Sequence, residues 1–192
     1  MKRTIFLCLA LLSFTFSNAQ DLNHLTFKGA PIDGPLESYV SHLKNNGFTL
    51  VEKENQVAIL YGDFAGYKNC NLFVSTLKQL DIVNKISVKF ENQDKWKNLS
   101  ENYLDLKTML TEKYGQPIEV IEKFDSGRAE NDDSRIMFYI GTNKYKYFSK
   151  WETDKGTINL SIDNDSYGKF VKLEYIDKIN SEILKSNAIS DL

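Results

Sequence analysis

Along residues 85–90, within a strand predicted over 83–90, the chain alternates without a break. Ile86, Val88 and Phe90 fall on one phase, Lys85, Ser87 and Lys89 on the other. A period of two sends successive side chains to opposite faces of a strand, so one face is packed and the other is wet. That pattern implies an antiparallel sheet, because parallel sheets are buried on both faces. The signature recurs along 156–162, where Ile158, Leu160 and Ile162 oppose Thr157, Asn159 and Ser161. Further strands are predicted over 48–53, 57–64, 67–77, 118–124, 144–153 and 170–176.

Two stretches carry the helical period instead. Leu36, Tyr39, Val40 and Leu43 fall at i, i+3, i+4 and i+7, with Pro35 suited to a first turn and Gly47 to a C-terminal stop. From Lys95 to Tyr114, one stripe gathers Trp96, Leu99, Tyr103, Leu106 and Leu110, and Gly115 with Pro117 ends it. A short helix with Ile179 and Ile183 inward is expected to close the chain. The order of one helix and four strands therefore occurs twice. The helices match at a constant shift and the closing strands do not; the polar stretch 126–143, with its acidic run Glu130 to Asp133, accounts for the excess as an insertion. Periodicity over Ile136 to Ile140 within it suits a helical turn or a strand equally. The expected fold is α+β, in two tandem units of a helix and a four-stranded antiparallel sheet. The divisions are a lead-in over 20–34, a first unit over 35–92, a second over 93–177, and a short helix and tail over 178–192.

Residues 1–19 read as a secretory signal peptide. Lys2 and Arg3 precede the apolar run Ile5 to Phe16, and Ser17 and Ala19 stand where a cleavage site before Gln20 needs small residues. A run of twelve residues is too short to span a membrane, and no longer stretch follows, so export to the periplasm or the extracellular space is expected. Removing the leader leaves 22 Lys plus Arg against 26 Asp plus Glu, a formal net of −4. A mildly acidic chain offers no uniform basic face, and nucleic acid is not an expected partner. Cys8 leaves with the leader. The remaining Cys70 excludes an intramolecular disulfide framework and a Cys-rich metal site, and reads as a buried small hydrophobe.

The stretches Phe27-Lys28-Gly29-Ala30-Pro31-Ile32-Asp33-Gly34, Gly62-Asp63-Phe64-Ala65-Gly66-Tyr67-Lys68-Asn69-Cys70, Leu110-Thr111-Glu112-Lys113-Tyr114-Gly115-Gln116-Pro117 and Trp151-Glu152-Thr153 resemble those of small exported proteins of unknown function from Bacteroidetes-type bacteria. The leader ending Ala19-Gln20 is similar to theirs. These motifs are structural punctuation, and the resemblance implies export without implying a chemistry. At the level of architecture, paired helix-plus-four-strand units also resemble the beta-lactamase inhibitory proteins, an analogy of fold alone.

Catalytic motifs are absent: no Gly-x-Ser-x-Gly elbow, no His-Glu-x-x-His, no phosphate-binding glycine loop and no Cys-x-x-Cys occurs. His24 and His42 are the only imidazoles, and both read as solvated surface residues. From Asp163 the chain approaches a calcium loop, with Asp163, Asp165 and Glu174 at positions one, three and twelve and Gly168 at six. Tyr167 occupies position five, where a ligand is needed, and the strand-like flanks suit a hairpin connection better. The run Lys144-Tyr145-Lys146-Tyr147-Phe148-Ser149-Lys150-Trp151 interleaves bases with aromatics. Tyr145, Tyr147 and Trp151 are its candidate binding residues for a sugar or base, against a strand with aromatics packed on the core and lysines in water. No cofactor is called for. The favoured reading is a non-enzymatic exported protein that binds a protein or glycan through a sheet face or loops. The alternatives are a hydrolase of glycan or peptide working through carboxylates, and a carrier of a small ligand or calcium.

Overall fold

The structure is a computed structural model, and it describes residues 24–77, 80–124, 132–142 and 144–190. The expected leader and the residues Glu130 and Asn131 of the acidic run lie outside these. The chain is α+β. A small hairpin of β1 (Thr26–Phe27) and β2 (Ala30–Pro31) precedes α1 (Leu36–Asn45), then β3 (Thr49–Glu54), β4 (Val57–Phe64), β5 (Tyr67–Thr76) and β6 (Val83–Lys89). After α2 (Trp96–Tyr114) come β7 (Glu119–Phe124), α3 (Asp133–Gly141), β8 (Tyr145–Thr153), β9 (Gly156–Asp165), β10 (Gly168–Asp177) and α4 (Lys178–Ser190).

Eight strands form one sheet in the order β3, β4, β5, β6, β10, β9, β8, β7, antiparallel at every joint. The last strand of each half meets the other at the centre, where Tyr175 stands opposite Ile86 and Leu173 opposite Val88. The register links one face across the sheet: Ala58, Val74, Ile86, Tyr175, Ile158 and Trp151 lie on a single rung, and all are buried. Helices α1, α2 and α3 pack on this face, and α4 continues from β10 in contact with β6 and β9. Burial of Leu60, Leu72, Ile86 and Leu160 stabilises the fold by roughly 1.5–3 kcal/mol per side chain. Residues of both halves belong to one apolar cluster, so the halves share a core.

The helices follow from their stripes. Leu36, Tyr39, Val40 and Leu43 are the buried residues of α1, and Leu99, Tyr103, Leu106 and Leu110 those of α2. Gly115 ends α2 with φ +83°, and Gly47 follows α1 with φ +91°, a region costly for any residue with a Cβ. The run left open by its period is the helix α3. The side chain of Asp132 caps it, accepting from the backbone N–H of Ser134 and Arg135, and Ile136 and Ile140 are buried.

Two expectations change. The closing helix is longer than its pattern suggested, running to Ser190. His24 is not a solvated side chain: it is largely buried, with Nδ1 3.1 Å from Asp177 Oδ1. Asp177 is fully buried and also accepts from the N–H of Leu25 and Asn180, so it caps α4 and ties down the lead-in at once. Asn180 completes the junction by donating to the carbonyls of Ile32 and Val83. His42, by contrast, is half-buried at the surface, where its Nε2 lies 3.1 Å from the Lys28 carbonyl.

Candidate functional site: the open face of the sheet

Among the described residues a helix reaches the second face of the sheet only at one end, where α4 lines a groove with Glu152 and Thr157. The rungs of this face follow from the register. One runs Phe148, Ser161, Lys172, Lys89, Asn71, Tyr61, and the next Lys150, Asn159, Glu174, Ser87, Phe73, Ile59. Apolar side chains gather on β4 and β5, where Val57, Ile59 and Phe73 are half-buried only by their neighbours and Tyr61 is 42% exposed. At the adjacent edge Val51, where β3 bulges between Leu50 and Glu52, is 63% exposed. The Tyr61 hydroxyl donates to Asn69 Oδ1, which fixes the phenol at the end of the patch.

The centre of the same face is a lattice of charge. Lys172 pairs with Asp163 at 2.7 Å, Lys89 with Asp165, and Lys85 with Glu174 at 3.8 Å. Glu174 also accepts from the Ser87 hydroxyl. The hydrogen bond from Lys89 holds the Asp165 carboxyl below the ordinary carboxylate range, with the N–H groups of Tyr167 and Gly168 adding to it. Burial pulls Lys172 down, but the hydrogen bond to Asp163 and the charges of Glu174 and Asp163 outweigh it and raise the ammonium. The Lys89 ammonium lies over the Phe170 ring, with Nζ 4.2 Å from its centroid, so the cation also covers an apolar side chain.

Asp163, Asp165 and Glu174 do not converge on one point. Asp165 stands opposite Gly168 at the hairpin and Glu174 opposite Asn159, which separates them by six residues of β10, or about 20 Å. Asp165 instead holds the turn, its Oδ1 accepting from Tyr167 N and Gly168 N. Among the described residues no cluster of three His, Cys, Asp or Glu side chains is arranged to hold a metal ion.

Tyr145, Tyr147 and Trp151 lie on the helix-covered face. Trp151 is 1% exposed and donates from Nε1 to the Gly115 carbonyl at 2.9 Å, pinning the end of α2 to β8. Tyr147 meets Trp96 and Tyr103 edge to face at 5.2 and 5.1 Å, and Tyr145 meets Trp96 at 5.6 Å. Burial raises the Tyr147 phenol above its ordinary value, with the Tyr145 hydroxyl adding to the shift. Tyr145, Tyr147 and Trp151 thus bind α2 to the sheet. Lys146, Phe148 and Lys150 are the members that reach the open face.

Sequence reasoning missed Ile59, Tyr61 and Phe73. The available signal was that 57–61 and 72–74 are apolar in both phases of the period of two, which a sheet wet on one face does not need. An open groove of about 380 Å³ between Leu36, Lys53, Thr76 and Asp81, and another of about 270 Å³ between Glu152, Thr157, Lys178 and Glu182, lie at the sheet's end. Both are lined largely by polar side chains. No helix of the described residues is long and apolar enough to cross a membrane. Comparison with protein-family models, curated proteins and solved structures finds no match.

Proposed function

We propose that the chain is an exported, non-enzymatic binding protein that docks another protein on its open sheet face. The observation that carries this reading is the patch of Ile59, Tyr61 and Phe73 beside the ion-paired centre, a part of the face to which no described helix packs. A flat apolar area bordered by fixed charges suits a protein surface: the apolar part supplies burial and the charges supply register. The carboxylates at the centre of this face, Asp163, Asp165 and Glu174, are engaged by lysines, and the Asp165 carboxyl is held below the ordinary range, which fits positioning better than general-acid chemistry. Export rests on the leader at 1–19. The succession of α1 with β3 to β6 and α2 with β7 to β10, joined through β6 and β10, supports the likeness to the beta-lactamase inhibitory protein architecture, which we offer as an analogy of fold.

The test is affinity capture from envelope and secreted fractions with the chain beginning at residue 20. Three baits are compared: the native protein, Phe73→Lys on the open face, and Leu104→Lys on the exposed side of α2. A partner held by the native and Leu104→Lys proteins and lost with Phe73→Lys supports the reading. Equal capture by all three removes the open face from consideration.

A further inference from the structure

The two edges of the sheet are unequal. The β3 edge is interrupted by its bulge and ends in Glu52, Lys53 and Glu54, devices that keep an edge from pairing. The β7 edge has no bulge within 119–124, no described strand pairs with its outer side, and Ile118 and Val120 beside it are 60% and 44% exposed. The backbone direction is fixed by one hydrogen bond: Ile118 N donates to Lys150 O at 2.8 Å, so Lys150 turns its carbonyl to β7. Alternation then commits the backbone groups of Glu119, Ile121 and Lys123 to β8 and points those of Val120 and Glu122 outward.

We propose that β7 pairs with β7 of a second copy of this chain, antiparallel about a two-fold axis through Ile121. Only even register sums keep both open faces on one side of the joined sheet. Centring on Glu122 sets that carboxylate against its own copy, and centring on Val120 leaves the charges of the strand unmatched. Centring on Ile121 sets Val120 opposite Glu122 as the pairs that exchange backbone hydrogen bonds. On the open face it sets Glu119 opposite Lys123 on both sides of the axis.

The intrachain register leaves this edge in want of such a partner. Lys123 stands directly opposite Lys146, and like charges facing across strands repel. Neither Lys123 nor Glu119 has an ion pair with any described residue. Glu119 of the second copy would lie against Lys123 and relieve that repulsion. Glu122 stays bonded to Lys107 of α2 at 2.6 Å on the other face and is not disturbed. The result is a closed pair with one continuous sheet, whereas pairing β7 to β3 would be head-to-tail and would not close.

Sedimentation of the chain from residue 20, followed into the high micromolar range, tests the assignment. The native protein is expected to dimerise, Lys123→Glu or Glu119→Lys to weaken the dimer by about tenfold or more, and the double exchange Glu119→Lys with Lys123→Glu to restore it. The altered side chains are exposed, and circular dichroism checks that each variant is folded. Ile121→Cys supplies a second readout, because residues facing each other across the axis in a non-hydrogen-bonded pair have Cβ atoms about 4.5–5.5 Å apart and should oxidise to a covalent dimer. A native protein that stays monomeric throughout, or a dimer that ignores the charge reversals, overturns the proposal.

Discussion

Asp177 Oδ1 lies 3.1 Å from His24 Nδ1, across 153 residues of sequence, and the same carboxylate receives the N–H groups of Leu25 and Asn180. One side chain thus caps α4, anchors the lead-in and closes the end of β10. Asp177→Ala removes a helix cap and leaves a buried N–H at Leu25 without its acceptor. The expected loss is about 3 kcal/mol, from roughly 1 for the cap and roughly 2 for the stranded donor. Urea unfolding followed by circular dichroism measures it. A loss within experimental error would mean that the junction contributes nothing to the global fold.

The Tyr103 and Ser149 hydroxyls are 2.7 Å apart, and both residues are fully buried. Tyr103→Phe leaves Ser149 without this partner and Ser149→Ala does the same to Tyr103, each at about 1–2 kcal/mol. The double variant removes both polar groups, so its cost should fall below the sum of the singles by about 1 kcal/mol or more. Additive losses in a double-mutant cycle would show that the pair is not coupled. Tyr103 is also one of the rings against Tyr147, which Phe preserves.

How much was legible follows from which interactions are local. The helical stripes of α1 and α2 and the alternation of β6 and β9 are written into neighbouring residues, and the elements lie within a few positions of their expected bounds. Hairpins between β4 and β5 or β9 and β10 follow from turn residues between such strands. The pairing of β6 with β10 was not available, since 87 residues separate Ser87 from Glu174 and no local period encodes it. The open face is assembled by that joint, which brings Lys89 and Lys172 onto one rung, and so its charge lattice was hidden too. His24 was misread for the same reason: its partner is set by the end of β10. Trp151 and Tyr147 were ambiguous because a strand's phase says that two faces differ, without saying which meets the helices.

Gly62 faces the core beside Phe48. A Cβ there would come within 2.6 Å of Phe48 Cδ1 and 3.2 Å of the Gly47 carbonyl, so the ring has to move for alanine to fit. Phe48 is itself buried, so the ring cannot simply swing into solvent without losing that burial. Gly62→Ala should cost about 1–3 kcal/mol through overpacking. Gly62→Ala combined with Phe48→Leu should recover part of that loss in the same unfolding assay. If the combination is instead the sum of the two single losses, the contact is not what limits residue 62.

Cys70 is fully buried on β5, and burial pushes its thiol up to about 11. The thiolate is the reactive form, so at neutral pH the native side chain is both protonated and shielded. A thiol reagent should label the folded chain beginning at residue 20 negligibly and label it fully in denaturant. Rapid native labelling would show that β5 opens locally. Cys70→Ala should cost about 1–2 kcal/mol as a small core truncation without creating a polar defect.

The Lys89 to Asp165 pair makes a signed prediction about acid. Asp165 ionises more readily in the folded protein than in the unfolded chain, chiefly because Lys89 donates to it. Stabilisation from a carboxylate so depressed is complete above its unfolded value of roughly 4 and disappears as the pH falls through the lower folded value. Asp165 is 36% exposed, so solvent screening keeps the gain below about 1 kcal/mol. Asp165→Asn keeps an oxygen for the N–H groups of Tyr167 and Gly168 and removes the charge. Native and Asp165→Asn stabilities should differ by a constant amount near neutrality and converge on acidification, and added salt should shrink the neutral gap. A gap that persists unchanged in acid would assign the effect of residue 165 to the turn it closes and not to its bond with Lys89.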